Sequence, residues 1–274
     1  MKNNPKKIQK ILKSKEKTIA LVAPSFVAEF EYPAILSQLK SAGFDKIVEL
    51  TFGAKMINRE YHRILESSDD LLITSVCPGI VQIIKQKYPQ YKKNLAKIDS
   101  PMIATAKICK KFYPKHKTIF ISPCHFKKTE AESCPCIDYT IDYQQLKQIL
   151  PKKSSSHQEK FDKFYNDYTK VYPLSGGLSK TAHLKQVLKP GQEKIIDGIS
   201  DVEKFLQSPD KRVRFLDVTF CKGGCIGGPC LSAEKSLKKR KQRVLDYMKL
   251  AEKESIRENS KGVIKKAQGI KFSH

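Results

Sequence analysis

The sequence has no apolar run that approaches the roughly 20 residues a helix needs to span a membrane. Its first 17 residues are charged throughout, without the apolar core and small-residue cleavage site that mark a secretory signal. Hydrophobic residues make up 40% of the 274 positions, which fits a globular protein with a sizeable core. These features predict a cytoplasmic protein with no membrane partner.

The sequence also has no closely spaced CxxC pair, although it has eight cysteines. Such pairs are typical of structural zinc sites. The cysteines show no pairing that suggests a disulfide framework, and a reducing compartment disfavours one. We therefore expect metal ligands or buried thiols.

Arginine clustered with aromatic residues, as in nucleic-acid-binding modules, is not evident either. The formal net charge is +24, but most of the excess is lysine spread along the chain. A solvated lysine-rich surface explains this pattern better than specific nucleic-acid binding, which is the less favoured interpretation. An acidic electron carrier docking on this surface would also fit the charge.

Short apolar runs alternate with helical patterns along most of the chain. Strands are predicted at residues 18–23, 46–50, 71–75, 118–122, 137–141, 194–199 and 213–218. Helices are predicted at residues 32–42, 56–66, 80–88, 103–111, 142–150, 179–188 and 233–255. This alternation predicts an α/β fold of mainly parallel sheet flanked by helices, in two lobes with the ligands in the cleft between them.

The remaining segments complete the predicted organisation. A basic lead-in covers residues 1–17, the two-lobed domain covers residues 18–231, and a lysine-rich C-terminal helix and tail cover residues 232–274. The polar stretch at residues 151–157 predicts a loop. The tail beyond residue 255 is predicted to be loose.

Residues 220–230, FCKGGCIGGPC, are the hardest part of the sequence to explain as ordinary folding material, and we call them the thiol loop. They hold three cysteines and four glycines. Cys221 and Cys225 stand four residues apart, so both sulfurs can point at the same bound group. The glycines lack a Cβ and therefore let the backbone approach that group closely. Taken alone, the thiol loop supports two interpretations equally well: a glycine turn with buried thiols, or a site for a soft metal ion.

Two further cysteine loops favour the metal-site interpretation of the thiol loop. Cys77 and Cys124, like the thiol loop, each follow a predicted strand. Loops that follow parallel strands gather at one edge of a sheet, so four thiolates could converge. Such a set suits an iron-sulfur cluster, with zinc as the alternative.

Three motifs resemble the catalytic domain of the iron-only hydrogenase family. That family carries TSCCPGW, MPCxxKKxE and MACPGGCxxGGG in this order. Here the corresponding stretches are TSVCPGI at residues 74–80, SPCHFKKTE at residues 122–130 and TFCKGGCIGG at residues 219–228. APS at residues 23–25, SPM at residues 100–102 and SGG at residues 175–177 resemble further family positions. The resemblance spans roughly residues 18–231.

The resemblance implies an H-cluster, which is a 4Fe-4S cubane bridged to a di-iron subsite with CO, cyanide and azadithiolate. The implied cubane ligands are Cys77, Cys124, Cys221 and Cys225, with Cys225 as the bridge. Lys127 would donate hydrogen bonds to a cyanide, and this is the catalytic role implied for it. Pro24 and Ser25 would line the di-iron subsite, and Glu130 would help hold the second loop. The other cysteines match no ligand position and are treated as buried or incidental thiols: Cys109, Cys134, Cys136 and Cys230.

Four positions depart from the family pattern. Val76 stands where efficient enzymes have a proton-passing cysteine, and a relay serine falls on Ala96. Two methionines that usually pack the di-iron site are replaced by Ser122 and Thr219. Positioned proton transfer is worth about two to four orders of magnitude. We therefore predict slow turnover, as in the subgroups of the family proposed to sense hydrogen.

The resemblance also implies partners and leaves alternatives. H2 and protons would be the substrates, maturation proteins would load the cofactor, and a ferredoxin-like electron carrier or a signalling partner would be external. The main hypothesis is an H-cluster protein that activates H2. The alternatives are a cubane-only relative that serves in iron-sulfur protein assembly and a degenerate scaffold.

Overall fold

The computed structural model describes residues 2–151 and 159–274. Within them the strands form two sheets, both entirely parallel. In chain order the strands are β1 (Thr18–Val22), β2 (Lys46–Glu49), β3 (Leu72–Ile73), β4 (Lys117–Ser122), β5 (Tyr139–Asp142), β6 (Glu193–Asp197) and β7 (Phe215–Thr219). The first sheet has the order β2-β1-β4-β5 and the second has the order β3-β7-β6. The predicted two-lobed α/β architecture is therefore confirmed.

Helices precede, connect and follow these strands. They are α1 (Pro5–Leu12), α2 (Ala34–Ser41), α3 (Thr51–Ser67), α4 (Pro78–Lys87), α5 (Pro101–Phe112), α6 (His125–Ser133), α7 (Tyr143–Ile149), α8 (Gly177–Thr181), α9 (Ile199–Gln207) and α10 (Leu237–Glu252). Across the described ranges, none of them combines the length and the apolar character that crossing a membrane would take.

The first sheet is buried on both faces. Along β1, Ile19 and Leu21 pack into one hydrophobic cluster, while Ala20 and Val22 pack into another. This is why TIALV reads as one continuous apolar run rather than an alternating one. The cluster that holds Leu21 also contains Phe215 of the second sheet, so the two lobes share a core.

One predicted helix is wrong in its extent. Residues 179–188 form only the end of the short helix α8 and a 3-10 turn at Leu184–Gln186. His183 lies between them in the left-handed region, with φ of 54°, which interrupts a continuous helix. The helix predicted at residues 233–255 is shorter, as α10. The loop predicted at residues 151–157 lies, apart from Pro151, outside the described residues.

The predicted loose tail is also wrong, because residues beyond α10 pack against the first lobe. The side chains of Ala267 and Phe272 are buried. The backbone N–H of Asp99 donates to the carbonyl of Phe272 at 2.8 Å. A few apolar residues suffice to anchor a lysine-rich segment when a backbone partner is available.

A buried ion pair fixes α10 to the first sheet. The Lys170 ammonium donates to the Glu49 carboxylate, and both side chains are completely buried. Tyr247 of α10 donates to the same carboxylate at 2.9 Å, and its hydroxyl lies 2.7 Å from the ammonium. Every charged atom in this cluster thus has a partner, as burial of charge requires.

Candidate metal centre

The topology brings the predicted site residues to the carboxyl ends of four strands. In the first sheet, neighbouring strands β1 and β4 end just before Ser25 and Cys124. In the second sheet, neighbouring strands β3 and β7 lead into Cys77 and the thiol loop. Each lobe therefore contributes about half of the candidate site, as expected for parallel strands whose ligand loops share one edge.

Two hydroxyl side chains shape the turns that carry the cysteines. Ser122 donates to the carbonyl of Cys124 at 2.6 Å and accepts from its N–H at 3.2 Å. Thr219 donates to the carbonyl of Cys221 at 3.3 Å. These are the positions at which the family has methionines. A hydroxyl two residues before each cysteine is itself a turn signal, so both residues have a local structural role here.

Solvent access separates the four candidate ligands from the remaining free thiols. Cys109 and Cys230 are buried, at 0% and 2% exposure. The candidate ligands are all free and at least partly accessible: Cys77, Cys124, Cys221 and Cys225. A thiol that is accessible at the end of a buried strand is available to a ligand, while a fully buried thiol packs as a small hydrophobe.

The candidate thiols raise one another's pKa. Burial and the neighbouring cysteines raise the pKa of Cys221 to about 11, and the same causes raise that of Cys225 further. Burial also raises the pKa of Cys124, which Lys127 only partly offsets. Cys124, Cys77 and Cys221 all raise the pKa of Cys225, so the four candidate sulfurs lie close enough together to interact. A cationic group there would stabilise the thiolates that this environment disfavours.

Lys127 lies close to these thiols. Its ammonium lies in α6 and acts on the pKa of both Cys124 and Cys225, lowering each against the effect of burial. It donates to the Glu130 carboxylate at 2.6 Å, and the two side chains are 12% and 16% exposed. Glu130 therefore holds the Lys127 ammonium in place, a contact within α6 that the sequence analysis did not predict.

Pro24 and Ser25 begin a buried 3-10 turn, Pro24–Ala28, directly after β1. This turn packs against the 3-10 turn Cys225–Gly227 of the thiol loop. The hydroxyl of Ser25 lies 2.7 Å from that of Tyr143, which lies near enough to Cys124 and Cys225 for them to influence its pKa. Tyr143 was not identified from the sequence, since no motif there pairs it with Ser25.

Glycine permits the close packing of these loops. A Cβ on Gly228 would lie 2.7 Å from the carbonyl oxygen of Pro123 and 3.7 Å from the Cβ of Cys124. A Cβ on Gly227 would lie 2.0 Å from the carbonyl oxygen of Lys222. The thiol loop can therefore fold onto the Cys124 loop only because these positions lack side chains.

The four candidate sulfurs are not arranged as a compact single-ion site. Four thiolates on one zinc ion at 2.3 Å would lie about 3.8 Å apart. In the described residues, three ligand atoms within 4.8 Å of one another occur at one place, His125, Asp142 and Cys230, and not among the four candidate thiols. The donor set is all-thiol, which is the ligand type of iron-sulfur clusters.

The group of His125, Asp142 and Cys230 is already satisfied internally. Asp142 accepts from Lys128 at 2.5 Å and from the N–H of Gln145 at 2.8 Å, as the N-cap of α7. The Cys230 sulfur lies 3.8 Å from Nδ1 of His125. With its carboxylate engaged by an ammonium and a helix cap, this group is a packing contact beside the candidate centre.

The remaining four cysteines differ in their chemical state. Cys134 and Cys136 are not thiols but form a disulfide, which corrects the prediction for both. The turn at the end of α6 brings their Cα atoms to 5.4 Å across a single intervening residue. Cys109 and Cys230 are buried thiols, as predicted.

The departures from the proton path have apolar surroundings. Val76 is half-buried and packs against the shared core, and Ala96 is 4% exposed. Neither side chain can carry a proton, so the chain offers no relay at these two positions.

Comparison with known proteins gives consistent similarities. The family model described as "Iron only hydrogenase large subunit, C-terminal domain" matches residues 16–229. The chain is 26% identical to iron hydrogenase 1 of Clostridium pasteurianum over 254 residues, covering 71% of this chain and 44% of that protein. It is 23% identical to the cytosolic Fe-S cluster assembly factor NAR1 of Encephalitozoon cuniculi over 234 residues, covering 73% of this chain and 63% of that protein. The chain thus spans less than two thirds of either curated relative.

Solved structures share the fold. An apo variant of the FeFe-hydrogenase HydA1 from Chlamydomonas reinhardtii superposes with a TM-score of 0.66 at 15% identity, covering 94% of this chain and 89% of that one. A structure from work on oxygen inactivation of FeFe-hydrogenase gives a TM-score of 0.64 at 17% identity, covering 92% and 90%. At these identities the likeness concerns the fold.

Proposed function

Since its residues 16–229 match the C-terminal domain of the large subunit, the chain belongs to the iron-only hydrogenase family, and we propose that it holds an H-cluster and reversibly activates H2. One observation carries the proposal. Four free, at least partly accessible thiols from three loops and two lobes lie close to one another, and Lys127 lies near two of them. An all-thiol donor set with an ammonium beside it suits an anionic iron-sulfur group.

In this proposal, Cys77, Cys124, Cys221 and Cys225 hold the cubane, and Cys225 bridges to the di-iron subsite. Cys225 is the most accessible of the four. It also lies in the turn that packs against Pro24–Ala28, the segment proposed to line the di-iron subsite. When bound, the di-iron subsite with CO, cyanide and azadithiolate would supply an open iron and a bridging amine for heterolytic cleavage of H2.

The chain's own residues would bind and orient that group. Lys127 would donate to a cyanide, with Glu130 holding its ammonium in place at 2.6 Å. Pro24 and Ser25 would exclude water from one side, because both are buried. The Lys127 side chain is only 12% exposed, so its ammonium needs anionic partners, and a bound cyanide would be a second one besides Glu130.

We further propose that turnover is slow and that the physiological output is H2 or redox sensing. Val76 and Ala96 remove the proton-carrying groups expected beside the site. H2 and protons would be the substrates, a ferredoxin-like electron carrier or a signalling partner would be external, and maturation proteins would load the di-iron subsite.

The second candidate is a cubane-only protein in iron-sulfur protein assembly. The similarity to an assembly factor supports it. Against it, Lys127 and the buried Pro24–Ser25 turn have no evident task without a di-iron subsite. A degenerate scaffold is a third candidate, which the Val76 and Ala96 departures support.

Infrared spectroscopy of the chain matured with the di-iron assembly proteins tests the main proposal. CO and cyanide stretching bands should appear in protein whose cubane is verified by electron paramagnetic resonance. The matched control is the same chain reconstituted with the cubane alone, which should show no bands. Absence of bands from matured protein with an intact cubane would favour the assembly function instead.

A further inference from the structure

A cavity lies beside α3, and we call it the α3 cavity. Its volume is about 510 Å³, which is within the range of small-molecule sites. One side is formed by α3, and the other by Tyr168 and residues between 181 and 186. None of the four candidate cubane ligands lines it, so it is separate from the candidate metal centre. Six side chains that share one face of α3 line the cavity: Lys55, Asn58, Arg59, His62, Arg63 and Glu66.

The floor of the α3 cavity is polar and buried. Asn58 and Thr181, which both line it, are 6% and 4% exposed. The Thr181 hydroxyl donates to the carbonyl of Gly177 at 2.8 Å, so it accepts from Nδ2 of Asn58 at 2.9 Å. This contact fixes the orientation of the amide.

The fixed amide leaves one acceptor unused. Oδ1 of Asn58 is buried and has no hydrogen-bond partner among the described residues. A buried acceptor without a partner costs free energy, because it has lost its water and gained nothing in return. A ligand in the cavity that donates an N–H or O–H to this oxygen would remove that cost.

The walls of the α3 cavity carry positive charge that the protein does not neutralise. The two carboxylates that line it both have partners: Glu60 with Arg63 at 3.1 Å, and Glu66 with Nδ1 of His62 at 3.3 Å. Lys55 and Arg59 line the same cavity and pair with no carboxylate in the part of the chain that the structure describes. An ammonium and a guanidinium side by side are suited to a phosphate group.

A stacked aromatic pair completes the lining. The ring centroids of Tyr168 and His183 are 5.0 Å apart, with an angle of 20° between the rings. Tyr168 is 44% exposed, so an aromatic face is available to a ligand. His183 reaches this position in the left-handed region, with φ of 54°, which is unfavourable for a residue other than glycine. Backbone strain of this kind is concentrated at functional positions.

We propose that the α3 cavity binds a nucleoside mono- or diphosphate. Lys55 and Arg59 would hold the phosphate, and the base would stack on the pair of Tyr168 and His183. A base amino group or a ribose hydroxyl would donate to Oδ1 of Asn58. A nucleotide combines an anion, a planar π face and hydrogen-bond donors in one small molecule, so it would use all three features of the lining. This binding does not depend on the proposed H-cluster.

Other anions use less of the lining. Inorganic pyrophosphate would engage the two cations but neither the aromatic pair nor, when fully ionised, the acceptor of Asn58. A single-stranded nucleic acid needs a continuous positive groove with several stacking platforms. The α3 cavity has one aromatic pair and is also lined by Glu60 and Glu66, which would repel the neighbouring phosphates of a strand.

Isothermal titration calorimetry of the full chain with ADP and GDP tests this proposal, with adenosine, pyrophosphate and an oligoribonucleotide as comparison ligands. The charge variant is Lys55→Gln/Arg59→Gln. Its control is Lys6→Gln/Lys10→Gln on α1, which removes the same charge from two exposed residues outside the cavity.

The stacking variant is Tyr168→Ala/His183→Gly, since glycine adopts a positive φ readily and so keeps the backbone conformation. Its control is Phe112→Ala, because Phe112 is 43% exposed and does not line the cavity. Circular dichroism of each variant verifies that the chain is folded before titration.

We expect ADP or GDP to bind, and the charge variant to weaken this binding at least ~10-fold through loss of charge-assisted hydrogen bonds. The stacking variant should weaken it at least ~5-fold. Each control should change it less than about twofold, because its side chains touch no bound nucleotide.

Three results would overturn the proposal. The first is that neither ADP nor GDP binds. The second is that pyrophosphate or the oligoribonucleotide binds as tightly as the better nucleotide, which would identify an anion site or a nucleic-acid surface instead. The third is an equal loss of affinity in a cavity variant and its control. These measurements need no cluster, so failure of the proposed hydrogen activation would leave them interpretable.

Discussion

The hydroxyl oxygens of Ser25 and Tyr143 lie 2.7 Å apart, and both side chains are completely buried. Ser25 follows β1 and Tyr143 follows β5, so the contact reaches across β4, which lies between these two strands in the first sheet. Burial raises the pKa of Tyr143 well above its ordinary value, so the phenol keeps its proton. This hydrogen bond therefore fixes the Ser25 hydroxyl beside the proposed di-iron subsite.

Replacing Tyr143 by phenylalanine should destabilise the protein by about 1–3 kcal/mol, because the Ser25 hydroxyl would remain buried without its partner. The free energy of unfolding is measured by denaturant titration. The matched control is Tyr172→Phe, which removes a buried hydroxyl that has no hydrogen-bond partner in the described residues. That control should be neutral or slightly stabilising. Equal effects of both substitutions would show that the Ser25 contact has no energetic role.

Two adjacent lysines allow a sharp test of the cofactor site. Lys127 acts on Cys124 and Cys225, whereas Lys128 pairs with Asp142 and acts on Cys230. Both side chains are 12% exposed, and each ammonium donates to a carboxylate. Replacing Lys127 by methionine should weaken retention of the di-iron group at least ~10-fold, since a buried anion would lose its cation. Lys128→Met should keep it.

The readout is the ratio of CO and cyanide infrared intensity to cubane signal in the matured protein. This ratio corrects each variant for any loss of cubane or of folded chain. Similar ratios for Lys127→Met and Lys128→Met would contradict the proposed hydrogen bond from Lys127 to a cyanide.

The strands that carry the site were predictable from local sequence. β1 and β4 are continuous apolar runs because both faces of the first sheet are covered, and each run stops at a proline. Given parallel strands, convergence of the cysteine loops at one sheet edge follows from topology alone.

Other features depend on contacts that local sequence cannot encode. Ser25 and Tyr143 are 118 residues apart, and no periodicity or motif relates them. The tail packs because the Phe272 side chain is buried in the shared core. That core exists only once the fold has assembled. The break at His183 is a left-handed residue inside a helical pattern, where tertiary packing overrides propensity.

Asp217 of β7 should give the protein a distinct pH dependence. Burial raises the pKa of this carboxyl to about 6, although the N–H of Ser179 donates to it at 3.1 Å. At a pH just below 6 the folded protein keeps the proton on Asp217, while the unfolded chain has released it. The free energy of unfolding therefore increases as the pH falls through 6 and decreases as the pH rises through 6. Between pH 7.5 and 5, wild type should gain about 1 kcal/mol relative to Asp217→Asn.

Denaturant titrations of wild type and Asp217→Asn at the two pH values measure this difference. Asp70→Asn, which removes an exposed carboxylate of the same charge, is the control. If the difference in the free energy of unfolding between wild type and Asp217→Asn does not change with pH, the pKa of Asp217 is not raised in the folded protein.

The buried pair of Lys170 and Glu49 should be critical for the attachment of α10. Lys170→Met leaves the Glu49 carboxylate buried with only hydroxyl partners, Tyr247 and Thr51. The expected loss is about 3–5 kcal/mol in the free energy of unfolding. The double variant Glu49→Gln/Lys170→Met removes both charges and should recover most of this loss. A double variant as unstable as Lys170→Met alone would assign the effect to packing rather than to charge.

Restoring a proton carrier should raise hydrogen turnover if the proposed H-cluster is present. Val76 is half-buried beside Cys77, in an apolar environment without a proton-carrying side chain at this position. Val76→Cys should increase the rate of H2 evolution by at least ~10-fold, since a positioned proton-transfer group contributes about two to four orders of magnitude when the rest of its path exists. Val76→Ala, which changes volume without adding a proton carrier, should leave the rate unchanged. Rates are compared at equal infrared band intensity, so differences in cofactor loading do not enter. An unchanged rate in Val76→Cys with intact bands would place the limiting defect elsewhere on the path, with Ala96→Ser in the Val76→Cys background as the next variant to measure.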